Sequence, residues 1–216
     1  MIDTRAIRYR GQDTPDGFLF ELSGGALPLE FANTISERSK GGRERLPDYG
    51  ALIRWTTQAG MLTEQQVAKL EAASSENPGE AGRAHQEAID LRELIFESAK
   101  AAAGRSPLAE RVVGRWNAWL ERVQSSRRLA AGHQGLEWQD TSDFETLDSI
   151  SLAVARASIE LFVDGDKRAR TRICAAADCD WVFLDNSRRM NRIWCDMTVC
   201  GNRAKATRHY RRKTGK

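Results

Sequence analysis

Apolar residues recur at helical spacing along most of the chain. Two such stripes follow each other between Ala84 and Val123, with a break at Asn77-Pro78-Gly79 before the first and Ser106-Pro107 before the second. The first stripe consists of Ala84, Ala88, Leu91, Ile95, Ala99 and Ala102, and the second of Leu108, Val112, Trp116, Leu120 and Val123. This spacing predicts two helices that bury these residues in a core.

The pattern before residue 40 is less uniform. Phe18 to Leu22 is an apolar run between glycines and predicts a short strand. Leu27, Phe31 and Ile35 then share one helical face, which predicts a helix over 27–37. The chain therefore starts with mixed secondary structure before it becomes helical.

Three capping patterns predict further helix starts. Asp48 can cap one helix, Thr63 with Gln66 forms a capping box before the next, and Ser142 with Glu145 forms a second box. The helix after this second box is apolar around much of its circumference, which predicts a central position in the core.

Two segments of the chain lack helical spacing. Residues 127–140 alternate around a central turn and predict a β-hairpin. The polar, glycine-containing break at 163–166 predicts a domain boundary. We therefore expect a mainly α protein, with a helical domain over 1–164 that includes a small β-hairpin and a separate module over 165–216.

Charge divides the chain at the same place. The 216 residues, 41% apolar and 29% charged, are typical of a soluble globular protein, and their net charge is only +3. Residues 165–216, however, hold 14 Lys or Arg against 5 Asp or Glu, a net charge of +9, whereas residues 1–164 have a net charge of −6. The near-neutral average therefore does not exclude nucleic-acid binding by the C-terminal module.

The N-terminal residues carry charge throughout and lack the apolar run of a signal peptide, and no segment is apolar enough to span a membrane. We expect a cytoplasmic protein with no membrane partner. In that reducing compartment, cysteines are more often metal ligands or catalytic groups than disulfides.

All four cysteines lie in the basic module, as the pairs Cys174 and Cys179 and Cys195 and Cys200. Two pairs separated by fifteen residues are typical of a four-thiolate zinc site, although four residues within a pair is the upper limit of the usual spacing. Such a site leaves no position for a water, so one structural zinc ion is predicted. Two disulfides, unrelated thiols or a rubredoxin-like iron site are the alternatives.

The surroundings of the cysteines predict the fold of this module. A turn, a strand over 181–184, a second turn and a helix from Thr198 onward indicate a treble-clef or zinc-ribbon-like finger. One arc of that helix is expected to pack on the rest of the module and holds Val199, Asn202, Ala206, His209 and Tyr210.

The opposite face of this helix is basic, and a second basic cluster lies between the cysteine pairs. Three clusters, including the arginines before Cys174, exceed what the helix dipole alone explains, although a solvated helix end is the alternative. We predict nucleic-acid contacts, with DNA favoured over RNA. The predicted contacts are Arg188, Arg189, Arg192, Arg203, Lys205, Arg208, Arg211 and Arg212.

Two motifs resemble known families. Cys200-Gly-Asn-Arg203, preceded by Arg192-Ile-Trp-Cys195, closely resembles the CGNR zinc finger of bacteria. The segment Gly25-Ala-Leu-Pro-Leu-Glu-Phe-Ala-Asn-Thr34 resembles the opening of the ABATE domain, with Glu30 where Asp is expected. Together the resemblances imply a stress-associated transcription regulator with a DNA-binding finger.

Physical roles can be predicted within the finger motif. Gly201 would let the chain approach the metal or a phosphate without a Cβ, and Asn202 would orient a cysteine sulfur or the opposite turn. Arg203 is the first candidate for a nucleic-acid contact. An internal ion pair with Asp180 or Asp185 is the alternative for Arg203.

The larger domain shows no catalytic constellation in its sequence and no phosphate-binding glycine loop. Glu30, Asn33 and Thr34 add polar groups to an apolar helix face and must find partners if they are buried. An internal network and a small-molecule effector site are both consistent with these three residues.

The leading functional hypothesis is therefore a one-component regulator, which is not an enzyme and whose helical domain senses a ligand or dimerises. Because one finger binds weakly, sequence specificity favours a homodimer. The main alternative is an RNA-binding protein that stacks bases on Trp181, Trp194 and Tyr210. A small-molecule enzyme that uses the finger as an interaction platform is the third hypothesis.

Overall fold

The computed structural model describes residues 11–15, 17–38, 41–140, 144–177 and 179–214. The fold is mainly helical with small antiparallel hairpins, as predicted. The helices are α1 Leu27–Ala32, α2 Tyr49–Gln58, α3 Glu64–Glu76, α4 Pro78–Gly104, α5 Glu110–Ser125, α6 Ser149–Val163, α7 Gly165–Arg170 and α8 Asn202–Thr214. None of the described helices is both long and apolar enough to cross a membrane.

The strands form four two-stranded hairpins. Within each hairpin the two strands are antiparallel and follow each other in sequence. The pairs are β1 Gly11–Thr14 with β2 Gly17–Phe20, β3 Ile35–Ser36 with β4 Arg43–Glu44, β5 Arg127–Gly132 with β6 Gly135–Asp140, and β7 Thr171–Ile173 with β8 Val182–Leu184. The predicted strand at 18–22 and the hairpin over 127–140 are therefore present, whereas β3–β4 was not predicted.

Two helices begin directly after the capping residues predicted from the sequence. Asp48 accepts a hydrogen bond from the Ala51 amide (2.7 Å), and Thr63 and Gln66 form both halves of a capping box. Ser142 lies outside the described residues, and α6 begins only at Ser149. Helix α6 lies centrally, in contact with α1, α4, α5 and α7, as its apolar circumference predicts.

The first helix is shorter than predicted. It ends at Ala32, and Ile35 belongs to β3 instead of the helical face. The Thr34 hydroxyl donates to the Phe31 carbonyl (2.8 Å), and the Asn33 side chain leaves the helix to bind β8. Side-chain hydrogen bonds of this kind compete with continuation of a helix, so the apolar spacing alone overestimates its length.

Strand β8 connects two hydrophobic clusters. Val182 and Leu184 belong to the large core formed by the helices, whereas Phe183, and Trp181 just before the strand, pack with the four cysteines. The period-two alternation of a strand explains this division, since successive side chains point to opposite faces. We call residues 11–163 the helical part and residues 165–214 the finger; the two share β8 as a buried boundary.

Candidate metal centre and basic surface

The four cysteines converge on one point. Cys174 and Cys179 lie on the turn that connects β7 to β8, Cys195 lies in a loop, and Cys200 lies in a π-helical turn that leads into α8. All four side chains are buried, and their Sγ atoms lie within 4.8 Å of one another. The four cysteines therefore form one cluster, as their spacing predicts.

The distances fit a tetrahedral metal site. Sγ of Cys195 is 3.7 Å from Sγ of Cys179 and 3.6 Å from Sγ of Cys200. Four sulfurs placed about 2.3 Å from a central zinc ion would be about 3.8 Å apart, close to these values. A disulfide needs about 2.05 Å, so these pairs are not bonded to each other. The residues present fit one zinc ion.

The acid–base behaviour of the thiols also favours a cation. Hydrogen bonding with Cys179 lowers the pKa of the Cys174 thiol, whereas hydrogen bonding with Cys174 raises the pKa of the Cys195 thiol. Without a cation the four cannot all be thiolates at neutral pH, because each negative sulfur opposes ionisation of the next. A divalent ion would remove this conflict by binding all four as thiolates.

Backbone hydrogen bonds fix the turns that present the sulfurs. The Cys174 amide donates to the Trp181 carbonyl (2.8 Å), which closes the first turn against β8. The Ala175 amide donates to the Ile193 carbonyl (2.9 Å) and joins the two halves of the site. In the second half, the Asp196 carboxylate accepts from the Val199 amide (2.7 Å) and caps the π-helical turn.

Asp185 is buried and fixes the loop between the cysteine pairs, a role beyond the ion pair predicted for it. Its two carboxylate oxygens accept from the backbone amides of Ser187 (3.0 Å) and Arg192 (2.9 Å). Burial opposes ionisation, but these hydrogen bonds outweigh it and hold the pKa of Asp185 below its usual value. In the sequence, Asp-Asn-Ser directly after a strand is typical of a turn, and this pattern could have indicated the role of Asp185.

Two of the predicted nucleic-acid contacts are half-buried and bonded inside the finger. Arg192 donates through Nε to the Trp194 carbonyl (2.9 Å) and through Nη2 to the Cys195 carbonyl, and it stacks on Phe183. Arg203 donates through Nη2 to Sγ of Cys200 (3.6 Å). Each therefore contacts a metal-binding turn or a ligand sulfur directly.

The neighbouring motif residues act differently from the prediction. Asn202 donates to the Thr198 carbonyl (3.0 Å) in its own turn, so Arg203 and not Asn202 contacts a sulfur. A Cβ on Gly201 would collide with Sδ of Met197 and come within 3.1 Å of the Trp194 ring. The groups that closely approach Gly201 are therefore these two side chains and not a ligand sulfur.

Five of the six remaining predicted contacts lie on the finger surface. Arg188 and Arg189 are exposed in the loop between the cysteine pairs. Lys205, Arg208 and Arg212 are exposed on α8. The side chain of Arg211 lies outside those that the structure describes.

Helix α8 extends away from the rest of the finger, so only part of the arc predicted to pack does so: Val199 packs against the cysteine cluster. Ala206 is exposed and Tyr210 is 69% exposed, because α8 contacts mainly the π-helical turn before it. Trp181, by contrast, is only 3% exposed. The aromatic set predicted to stack RNA bases is therefore not assembled on one surface.

Glu30, Asn33 and Thr34 are engaged in internal hydrogen bonds. Asn33 donates to the carbonyl of Val182 (2.9 Å) and accepts from its amide (3.0 Å), which clamps α1 to β8. Glu30 accepts from the Gly25 amide (2.8 Å), and burial raises its pKa. Thr34 accepts from the Arg92 guanidinium (3.4 Å). Asn33 therefore connects the two parts, whereas Glu30 and Thr34 bond within the helical part.

Comparisons with known proteins give two matches along the chain. Residues 25–165 match the family model ABATE, described as "Putative stress-induced transcription regulator", and residues 170–213 match the CGNR zinc finger. The comparison with curated proteins gives no match. The first match covers the helical part from residue 25 onward, and the second contains all four cysteines.

Proposed function

Because the chain belongs to the ABATE family and carries a CGNR zinc finger, we propose that it is a transcription regulator that binds DNA through the finger. The family description names regulation and not catalysis, which favours a regulator over an enzyme. We place the division between the regulatory and DNA-binding domains at Gly165, where α7 begins.

One observation carries the proposal: the finger exposes a dense set of cations on one helix and one loop. Lys205, Arg208 and Arg212 lie on α8, and Arg188 and Arg189 lie on the loop. Phosphate groups attract such a set and release counterions on binding. The helical part, with its net negative charge, would face away from the DNA.

The shape of α8 supports the same proposal. A helix that extends from its domain with exposed cations can enter a major groove, which is the usual way in which small DNA-binding modules read sequence. A zinc site at the start of the helix would hold its first turn. Because a single finger buries little surface, two copies of the chain would provide useful specificity.

Fluorescence anisotropy with DNA duplexes selected from a random pool tests the proposal. We expect the triple variant Lys205→Gln, Arg208→Gln and Arg212→Gln to lose affinity at least tenfold and to reduce the salt slope by about 2.7, from about −4.5 for five contacts. The matched control replaces Arg83, Arg105 and Arg128, exposed in the helical part, with glutamine and should bind normally.

The outcomes separate the alternatives. Equal losses in the triple variant and in the control would show nonspecific attraction to the whole protein. Tighter binding to single-stranded RNA than to any selected duplex would favour the RNA-binding alternative. Native mass spectrometry of the wild-type protein, with and without the selected duplex, tests the proposed dimer.

A further inference from the structure

A cavity of about 280 Å³ lies in the helical part, away from the cysteine cluster. It is bordered by the hairpin β1–β2, by the chain around β4 and by α2. Phe18, Phe20 and Ala51 provide apolar surface, and three arginines, Arg43, Arg45 and Arg54, also line it. Its volume suits a ligand of about one ring with a short substituent.

The acidic groups at this cavity are already engaged. Asp13 pairs with Arg43 (3.3 Å) and with Arg45 (3.1 Å). Glu44 directs both carboxylate oxygens to the buried Arg92, at 2.7 Å each. Arg54 makes no ion pair with any residue that the structure describes. The cavity therefore retains an excess of positive charge.

Among the residues that line the cavity, Arg45 gives the most specific indication of an anion-binding site. Its side chain is only 14% exposed, its guanidinium lies 4.0 Å from the Phe18 ring centre, and its Nε is buried with no hydrogen-bond partner among the described residues. Burial and the neighbouring Arg43 charge lower the pKa of Arg45. Because this guanidinium is poorly hydrated, a carboxylate in the cavity would stabilise its charge through a charge-assisted hydrogen bond to the part of the guanidinium that lines the cavity.

We propose that this cavity binds a small organic monocarboxylate with an aromatic or aliphatic body, as the effector of the regulator proposed above. The carboxylate lies against Arg45 and Arg54, and the apolar body lies against Phe18 and Phe20. Inorganic phosphate fits less well, because it has no group to cover the apolar surface. This proposal extends the sensing function but does not require that the finger binds DNA.

The test measures ligand binding by the zinc-loaded full-length protein in the absence of DNA, so its failure is distinguishable from failure of DNA binding. Benzoate and phenylacetate are the probes, benzamide and phenylacetamide are their uncharged counterparts, and inorganic phosphate represents charge alone. At ten times its dissociation constant, a carboxylate should raise the folding equilibrium constant about elevenfold, which denaturant titration detects.

Two variants locate the site. Arg54→Gln changes an exposed side chain and should weaken binding of the carboxylates at least fivefold without affecting the fold. Arg45→Met should abolish binding, and circular dichroism checks that it folds. Arg83→Gln, an exposed change on α4, is the control. Equal stabilisation by acids and amides, no stabilisation by either acid, or unchanged binding in Arg54→Gln would overturn the proposal.

Discussion

The helical part and the finger bury apolar residues in very different amounts. The helical part has a large core, in which Trp55, Leu91, Leu94 and Ile95 are fully buried. The buried cluster around the metal site consists of four cysteines and two aromatic residues. A domain with so little apolar core needs a metal to fold, whereas a helical core of that size does not. The comparison shows where zinc should matter most.

Strand β8 makes the two parts interdependent despite this difference. Its side chains contribute to both clusters, and its backbone bonds to the helical part through Asn33 and through the Gly24 carbonyl, which accepts from the Leu184 amide (2.7 Å). Loss of the metal should therefore also lower the stability of the helical part. The predictions below separate what each part contributes.

Removal of zinc should have the largest effect. Cys200→Ser takes away one of four ligands, so we expect loss of bound zinc and unfolding of the finger, because zinc sites in such modules contribute about 10 kcal/mol or more. The helical part should keep its helical circular dichroism but unfold at a lower denaturant concentration. Metal analysis and urea titration measure both. An unchanged midpoint for the helical signal would show that β8 does not couple the parts.

Asn33→Ala tests the junction itself. It leaves the amide and the carbonyl of Val182 without their partners in a buried position, which should cost about 2–4 kcal/mol of unfolding free energy. The control is Asn186→Ala, an exposed residue just after β8, with an expected effect below about 0.5 kcal/mol. Equal effects of the two variants would mean that the clamp contributes nothing.

Arg203→Met tests whether a side chain that is not itself a ligand raises the zinc affinity of the site. Removing the N–H donor from the Cys200 sulfur should lower zinc affinity about 10–100-fold while the fold persists in excess zinc. Lys205→Met changes an exposed cation on the same helix and should leave affinity unchanged. Competition with a chromophoric chelator measures both affinities. A similar loss in Lys205→Met would assign the effect to overall charge.

The features that could be predicted from the sequence are those determined by residues close together in the chain. The caps at Asp48 and Thr63 involve neighbouring residues, and the cysteine spacing is a short-range constraint, so all three were recognised. The role of Asn33 depends on a strand 149 residues away, and the half-buried positions of Arg192 and Arg203 depend on how the turns close. A helical wheel cannot distinguish Arg203 from the exposed arginines on α8, and it does not apply to Arg192, which lies outside the helices.

Gly201→Ala should have the smallest effect and is the most direct test of why glycine occupies that position. The added methyl group would crowd Met197 and Trp194, whereas alanine favours helical backbone by about 1 kcal/mol, so the net change should be small. The informative quantity is its coupling to Met197→Ala, which removes one crowding group. A double-mutant cycle of zinc-loaded unfolding free energies should give about 0.5–1 kcal/mol of rescue. Additive effects with reduced zinc affinity would instead indicate that glycine is needed beside the metal.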